Sequence, residues 1–150
     1  MDIRIKEAVD LFQEVMFYGT ERVIKSIDDP LWKEFSPEQI QMLKLVSREK
    51  RITSSRLAAL QAVHKSAISS RIKKLLQKDV IRFVQTEQQD RREKLVELTD
   101  RGKEVLVQSD KVLTDYIENL LAQHVNDEEI DQFLTIFRKL KDIIKADGVS

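Results

Sequence analysis

The chain of 150 residues contains no cysteine, only 3 glycines and 2 prolines, and 2 histidines. Without a thiol there is no disulfide, no thiolate metal site and no thiol switch. His64 and His124 are far apart, and no glycine-rich phosphate loop, Ser-His-Asp order or metal-ligand spacing accompanies them. Neither enzymatic chemistry nor a resident metal or cofactor is therefore expected. No apolar run approaches the ~20 residues of a membrane span, and Met1 is followed by charged Asp2, Arg4, Lys6 and Glu7, not by the apolar core of a signal peptide. A cytoplasmic protein with no membrane contact is expected, in keeping with the missing disulfides. Scarce glycine and proline, with 41% hydrophobic and 35% charged residues, favour a mainly helical chain. The length suits a single domain, residues 1–150.

The 26 basic and 26 acidic residues cancel, which would argue against a nucleic-acid partner if they were evenly spread. They are not. Residues 51–82 hold Arg51, Arg56, Lys65, Arg71, Lys73, Lys74, Lys78 and Arg82 against Asp79 alone, eight minus one, or +7. Residues 1–50 count 8 basic and 10 acidic, and residues 101–150 count 7 and 10. A basic module between acidic flanks is an oriented electrostatic footprint, which matters more for docking on DNA than the overall charge.

The stretch Ile52–Thr99 has the order of a helix-turn-helix followed by a hairpin. Thr53 is placed to cap a short helix with Leu57, Ala58 and Leu60 inward. The turn Gln61-Ala62-Val63-His64 has neither Gly nor Pro, so it is assigned from the motif and not from turn chemistry. From Lys65 to Lys78, Ile68, Ile72 and Leu75 recur at helical spacing as a buried stripe. Opposite them lie Ser66, Ser70, Lys73, Lys74 and Gln77, with Ser69 and Arg71 on the flanks. Short hydroxyls in the first turn and lysines further along suit a helix whose start enters a major groove while the cations meet phosphates. The same order also describes a plain solvated face. Val80–Val84 and Lys94–Thr99 read as strands around a polar loop, a wing whose Arg91 and Arg92 suit a minor groove, with Asp90 able to pair with Arg92. An ordinary solvated hairpin is the other reading.

Four further helices complete the chain. One runs roughly from Ile3 to Ile27 with Ile5, Val9, Phe12, Met16 and Val23 in a stripe, ended by Asp28-Asp29-Pro30. Leu31, Trp32 and Phe35 pack the link onto the body. Ser36-Pro37-Glu38-Gln39 opens the next, running to about Glu49, with a capping arrangement. Thr99 or Asp100 caps a long helix to about Val125, and Asn126 caps the last, with Ile130, Phe133, Leu134, Phe137, Leu140 and Ile144 inward. The terminal helices carry more apolar surface than one small module covers, which implies a second chain.

The ordered set Ser36-Pro37-Glu38-Gln39, Lys65-Ser66, Asp90-Arg91-Arg92, Leu95, Leu98-Thr99 and Gly102 resembles the MarR family of bacterial transcription regulators. The resemblance implies a mainly α fold with a small β-wing, a winged helix-turn-helix over residues 36–102 and dimerisation helices over 1–35 and 103–146. It implies Lys65, Ser66, Ser69 and Ser70 on the groove-facing helix, and Arg92, held by Asp90, in the wing. Arg71 and the Lys73–Lys74 pair extend the expected contact set. Two departures stand out: Asp79 occupies a position that is often glycine, and the arginine often found near Ser70 sits one residue later, at Arg71. Lacking cysteine, the chain cannot sense peroxide as some members do. The function implied is a repressor binding a near-palindromic operator in double-stranded DNA as a homodimer; the alternative is a winged-helix interaction module that does not bind DNA. Members often bind small aromatic effectors, for which Phe12, Met16, Phe17, Tyr18, Trp32, Met42 and Tyr116 are the candidates, although aromatic and Met stripes also simply make core.

Overall fold

Short polar caps set most of the element boundaries. The structure, a computed structural model, describes residues 2–85 and 94–146. Helix α1, Ile3–Ser26, starts where the Asp2 carboxylate accepts from the Arg4 backbone N–H at 2.9 Å. Asp29 then caps a one-turn helix, α2, Pro30–Glu34, accepting from Leu31 N–H at 2.9 Å. Only a packed link was expected there; Pro30 at the first helical position and an Asp cap before it are enough for a turn. Its Leu31 and the following Phe35 are buried, as their apolar character requires.

In α3, Pro37–Glu49, the full capping box forms: Gln39 N–H donates to Ser36 Oγ at 3.2 Å, and Ser36 N–H to Gln39 Oε1 at 3.1 Å. A two-residue strand, β1, Ile52–Thr53, precedes α4, Ser54–Gln61, and α5, Lys65–Gln77. Strands β2, Ile81–Val84, and β3, Leu95–Leu98, complete a three-stranded antiparallel sheet in the order β1-β3-β2. The sequence reading missed β1, in which Thr53 both pairs with Leu95 and caps α4. Ile81 faces Leu98, and Phe83 faces Val96.

Two compact units divide the chain at Leu113 and Thr114, inside α6, Asp100–Leu121. In the first, Leu43, Val46, Leu57, Ile68, Leu75, Val80 and Val96 form a core with no exposed surface. Gly102 is where α6 meets it: an added Cβ would stand 2.1 Å from the Val80 carbonyl oxygen. The second unit holds the end of α6 and α7, Asp127–Ala146. Helix α6 stops four residues short of the expected Val125, closing through Ala122 N–H to Glu118 O and Val125 N–H to Leu121 O. Asn126 caps α7 as expected, with Glu129 N–H to Asn126 Oδ1 at 2.8 Å and the reciprocal bond at 3.1 Å. No helix among the described residues is long and apolar enough to cross a membrane.

Candidate nucleic-acid interface

The turn between α4 and α5 is made by an alanine in a conformation alanine disfavours. Ala62 adopts φ 53° and ψ 46°, and its N–H and that of Val63 return to the carbonyls of Ala59 and Ala58. This αL closure is the usual work of glycine, which is why the sequence offered no turn signal. Thr53 Oγ1 accepts from Arg56 N–H at 3.1 Å, as expected of the α4 cap.

Ile68, Ile72 and Leu75 of α5 are buried, fixing its rotation. Lys65, Ser66, Ser69, Ser70, Lys73, Lys74 and Gln77 are therefore exposed together on the other side. No side chain caps the first turn at His64, so its backbone donors and partial positive charge remain open to an anion such as a phosphate. Arg71 is placed differently from its neighbours. It is half-buried, and its guanidinium donates to Gln61 Oε1 at 3.0 Å, fastening α5 to α4.

The wing begins at Asp79, whose φ of 58° is the left-handed turn expected of an Asp standing where glycine is common. Thr99 Oγ1 donates to the Asp79 carbonyl at 2.6 Å and accepts from Gly102 N–H at 3.1 Å, closing the wing base and capping α6 together. Asp90, Arg91 and Arg92 of the expected wing tip lie outside the described residues. At the edge of what is described, Lys94 Nζ stands 5.0 Å from the Phe83 ring centre, and Phe83 is 41% exposed. The sequence reading did not single out this pair.

The +7 tally overstates the charge that DNA would meet. Arg82 and Arg51 both bind Glu97, at 2.6 and 3.1 Å, and hold its carboxyl below the ordinary glutamate range, Arg82 more strongly. Lys78 is also committed: it lies 4.6 Å over the Phe35 ring and donates to the Glu34 carbonyl and to Gln39 Oε1. Lys65, Lys73 and Lys74 stand exposed, with no ion pair among the described residues. Glu97 sits directly across from Arg82 in the β2–β3 register, a pairing legible only once that register is known.

The effector candidates fall in different surroundings. Phe12, Met16, Phe17 and Tyr18 are exposed along α1. Met42 has 0% exposure and belongs to the core, which removes it from any accessible lining. Trp32 is half-buried, and its indole Nε1 is buried with no hydrogen-bond partner among the described residues. Tyr116 is half-buried in the second unit. Among the described residues no cluster of His, Cys, Asp or Glu could hold a metal ion.

Residues 35–102 match the family model described as a winged helix DNA-binding domain. The chain is 34% identical over 144 residues to an HTH-type transcriptional regulator of Bacillus subtilis, YdgG, covering 95% of this chain and 94% of that one. A crystal structure of a mutant MarR from E. coli is similar in fold, with a TM-score of 0.73 at 19% identity, over 87% of this chain and 93% of that one. A mutant MarR from E. coli complexed with operator DNA gives 0.61 at 18% identity, over 89% and 95%.

Proposed function

Because the chain belongs to the MarR family of winged helix-turn-helix transcriptional regulators and is a DNA-binding regulator, we propose that it works as a cytoplasmic, homodimeric repressor on a near-palindromic operator. The observation that carries the reading is the one-sided face of α5, with Ser66, Ser69 and Ser70 toward its start, Lys73 and Lys74 further along, and the apolar stripe buried behind them. Short hydroxyls let the backbone approach base edges closely, and the lysines reach phosphates. The minor-groove contact is assigned to Arg92 and its neighbour Arg91, on the strength of the Asp90-Arg91-Arg92 sequence.

A second copy of the chain supplies the missing cover for the terminal helices. Helix α1 buries no residue, leaving Phe12, Met16 and Phe17 among its exposed apolar side chains. Within the other unit α7 likewise buries none, and Phe133, Phe137 and Ile144 are exposed. Apolar faces of this extent mark association surfaces. A two-fold pair sets the two α5 helices ~34 Å apart, one turn of DNA, and requires symmetric half-sites.

A small aromatic effector, lodged among Phe12, Met16, Tyr18 and Trp32, would release DNA by favouring a dimer with differently spaced α5 helices. It does so only if it binds the two shapes unequally.

Selection of bound fragments from random duplexes tests the reading directly. The expected product is a pair of inverted half-sites one helical turn apart. A single asymmetric half-site, or sedimentation as a monomer that Phe137→Glu leaves unchanged, would refute the dimeric mode.

A further inference from the structure

A groove of about 880 Å³ lies between the C-terminal end of α3, the wing sheet and the first turns of α6. Four cations line it: Lys50, Arg51, Arg82 and Lys103. It does not belong to the surface that α5 presents. Side chains alternate across a strand, and Ile81, Val96 and Leu98 are buried on the core side, so Arg82 and Glu97 stand on the outer face of the sheet.

The approach to the groove is strained. Lys50 has φ 65° and ψ −54°, and Arg51 N–H donates to the Glu49 carbonyl at 2.8 Å, a three-residue turn of the rare, costly kind for an L-residue. Glycine would take this turn without strain. A residue held there despite it presents a side chain, and this one lines the groove.

The cations are not equivalent. Glu97 occupies both guanidiniums, at 2.6 Å from Arg82 and 3.1 Å from Arg51. Lys50 and Lys103 are exposed and have no ion-pair partner among the described residues. The lining carboxylates are Glu49, 3.9 Å from Arg56, the doubly paired Glu97, and Asp100 at the start of α6. Planar carboxylate ligands are matched best by arginine forks, and those are taken. Ammonium point charges approaching from α3 and α6 suit a phosphoryl group instead.

We propose that this groove binds a small phosphate-bearing molecule, gripped between Lys50 and Lys103 and framed by the guanidiniums that Glu97 holds. Such a ligand ties the turn after α3, the outer face of the wing and the start of α6 together. Any resulting change in operator affinity rests on the regulator reading above; the binding itself does not.

The test uses the full chain, isotopically labelled, and inorganic pyrophosphate without DNA, against sodium chloride of matched ionic strength. Saturable amide shifts confined to Lys50, Arg51 and the segment from Leu98 to Lys103 are expected. Lys50→Gly relieves the turn, so it should melt no lower than the parent and yet bind pyrophosphate roughly tenfold more weakly, a loss of about 1.4 kcal/mol. Lys103→Gln should weaken it similarly, and malonate should bind less well than pyrophosphate. Shifts that chloride reproduces, unchanged pyrophosphate binding in Lys50→Gly, or tighter binding of malonate each overturn the proposal. So does a loss of operator affinity in Lys50→Gly with no pyrophosphate present, which would assign the groove to the duplex.

Discussion

Gly102 and the Val80 carbonyl approach so closely that a Cβ on residue 102 would stand 2.1 Å from the oxygen. The same carbonyl accepts from Thr99 N–H at 3.1 Å, so it cannot swing away without breaking the wing base. Gly102→Ala is therefore expected to destabilise by about 3 kcal/mol, at the upper end of overpacking costs. A denaturant melt showing less than about 1 kcal/mol would mean that the start of α6 shifts freely.

Ala62 presents the reverse case. It is exposed, and it occupies a left-handed conformation that costs an L-residue about 1–2 kcal/mol. Ala62→Gly should raise stability by about 0.5 kcal/mol, because the unfolded chain gains freedom that offsets part of the relief. Thermal unfolding decides the sign.

These two positions also mark how far the sequence is legible. Gly102 was legible as part of a family pattern, but the carbonyl it accommodates is 22 residues away and comes into view only with the fold. Helix limits at Ser36, Thr53 and Asn126 were legible because capping is local chemistry. The turn at Ala62 was legible only through the motif, since alanine gives no turn signal of its own, and the strand β1 was not legible at all, because its pairing with β3 is a tertiary contact. In the site, the rotation of α5 followed from the spacing of Ile68, Ile72 and Leu75. The commitments of Arg71 to Gln61, and of Arg51 and Arg82 to Glu97, join residues from different elements. A charge count along the chain cannot see them.

Glu97 carries a pH dependence of definite sign. Arg82 first, and then Arg51, lowers its carboxyl pKa in the folded state. A lowered folded pKa contributes stability that is fully present above the unfolded glutamate value and is lost as pH falls through the folded one. The gap in Tm between the parent and Glu97→Gln is thus expected to be widest near neutral pH and to close in acid. A gap that is independent of pH would mean the carboxylate charge is not what the arginines recognise.

Trp32 has a buried indole N–H with no partner among the described residues. Leaving such a donor unsatisfied costs about 1–3 kcal/mol, while the ring itself packs against the core. Trp32→Phe keeps most of the packing and removes the donor, so stability at low protein concentration is expected to stay level or rise by up to about 1 kcal/mol. A marked fall would show that the indole has an acceptor, from a second chain or from bound water.

Lys73 and Lys74 should separate from Arg71 on DNA. The two lysines are exposed and unpaired among the described residues, whereas Arg71 is half-buried against Gln61. Each phosphate contact contributes about one unit to the slope of log affinity against log salt. Lys73→Gln with Lys74→Gln removes two such contacts from each protomer of the dimer, so it should flatten that slope by about 4 and weaken operator and random duplex alike. Arg71→Ala should act first on stability, by about 1 kcal/mol, through the lost bond to Gln61. Its effect on the salt slope should be small. Salt titrations of operator binding, set beside melts of the same variants, check both halves, and a slope that changes more with Arg71→Ala than with the lysine pair would place the phosphate contact on the arginine instead.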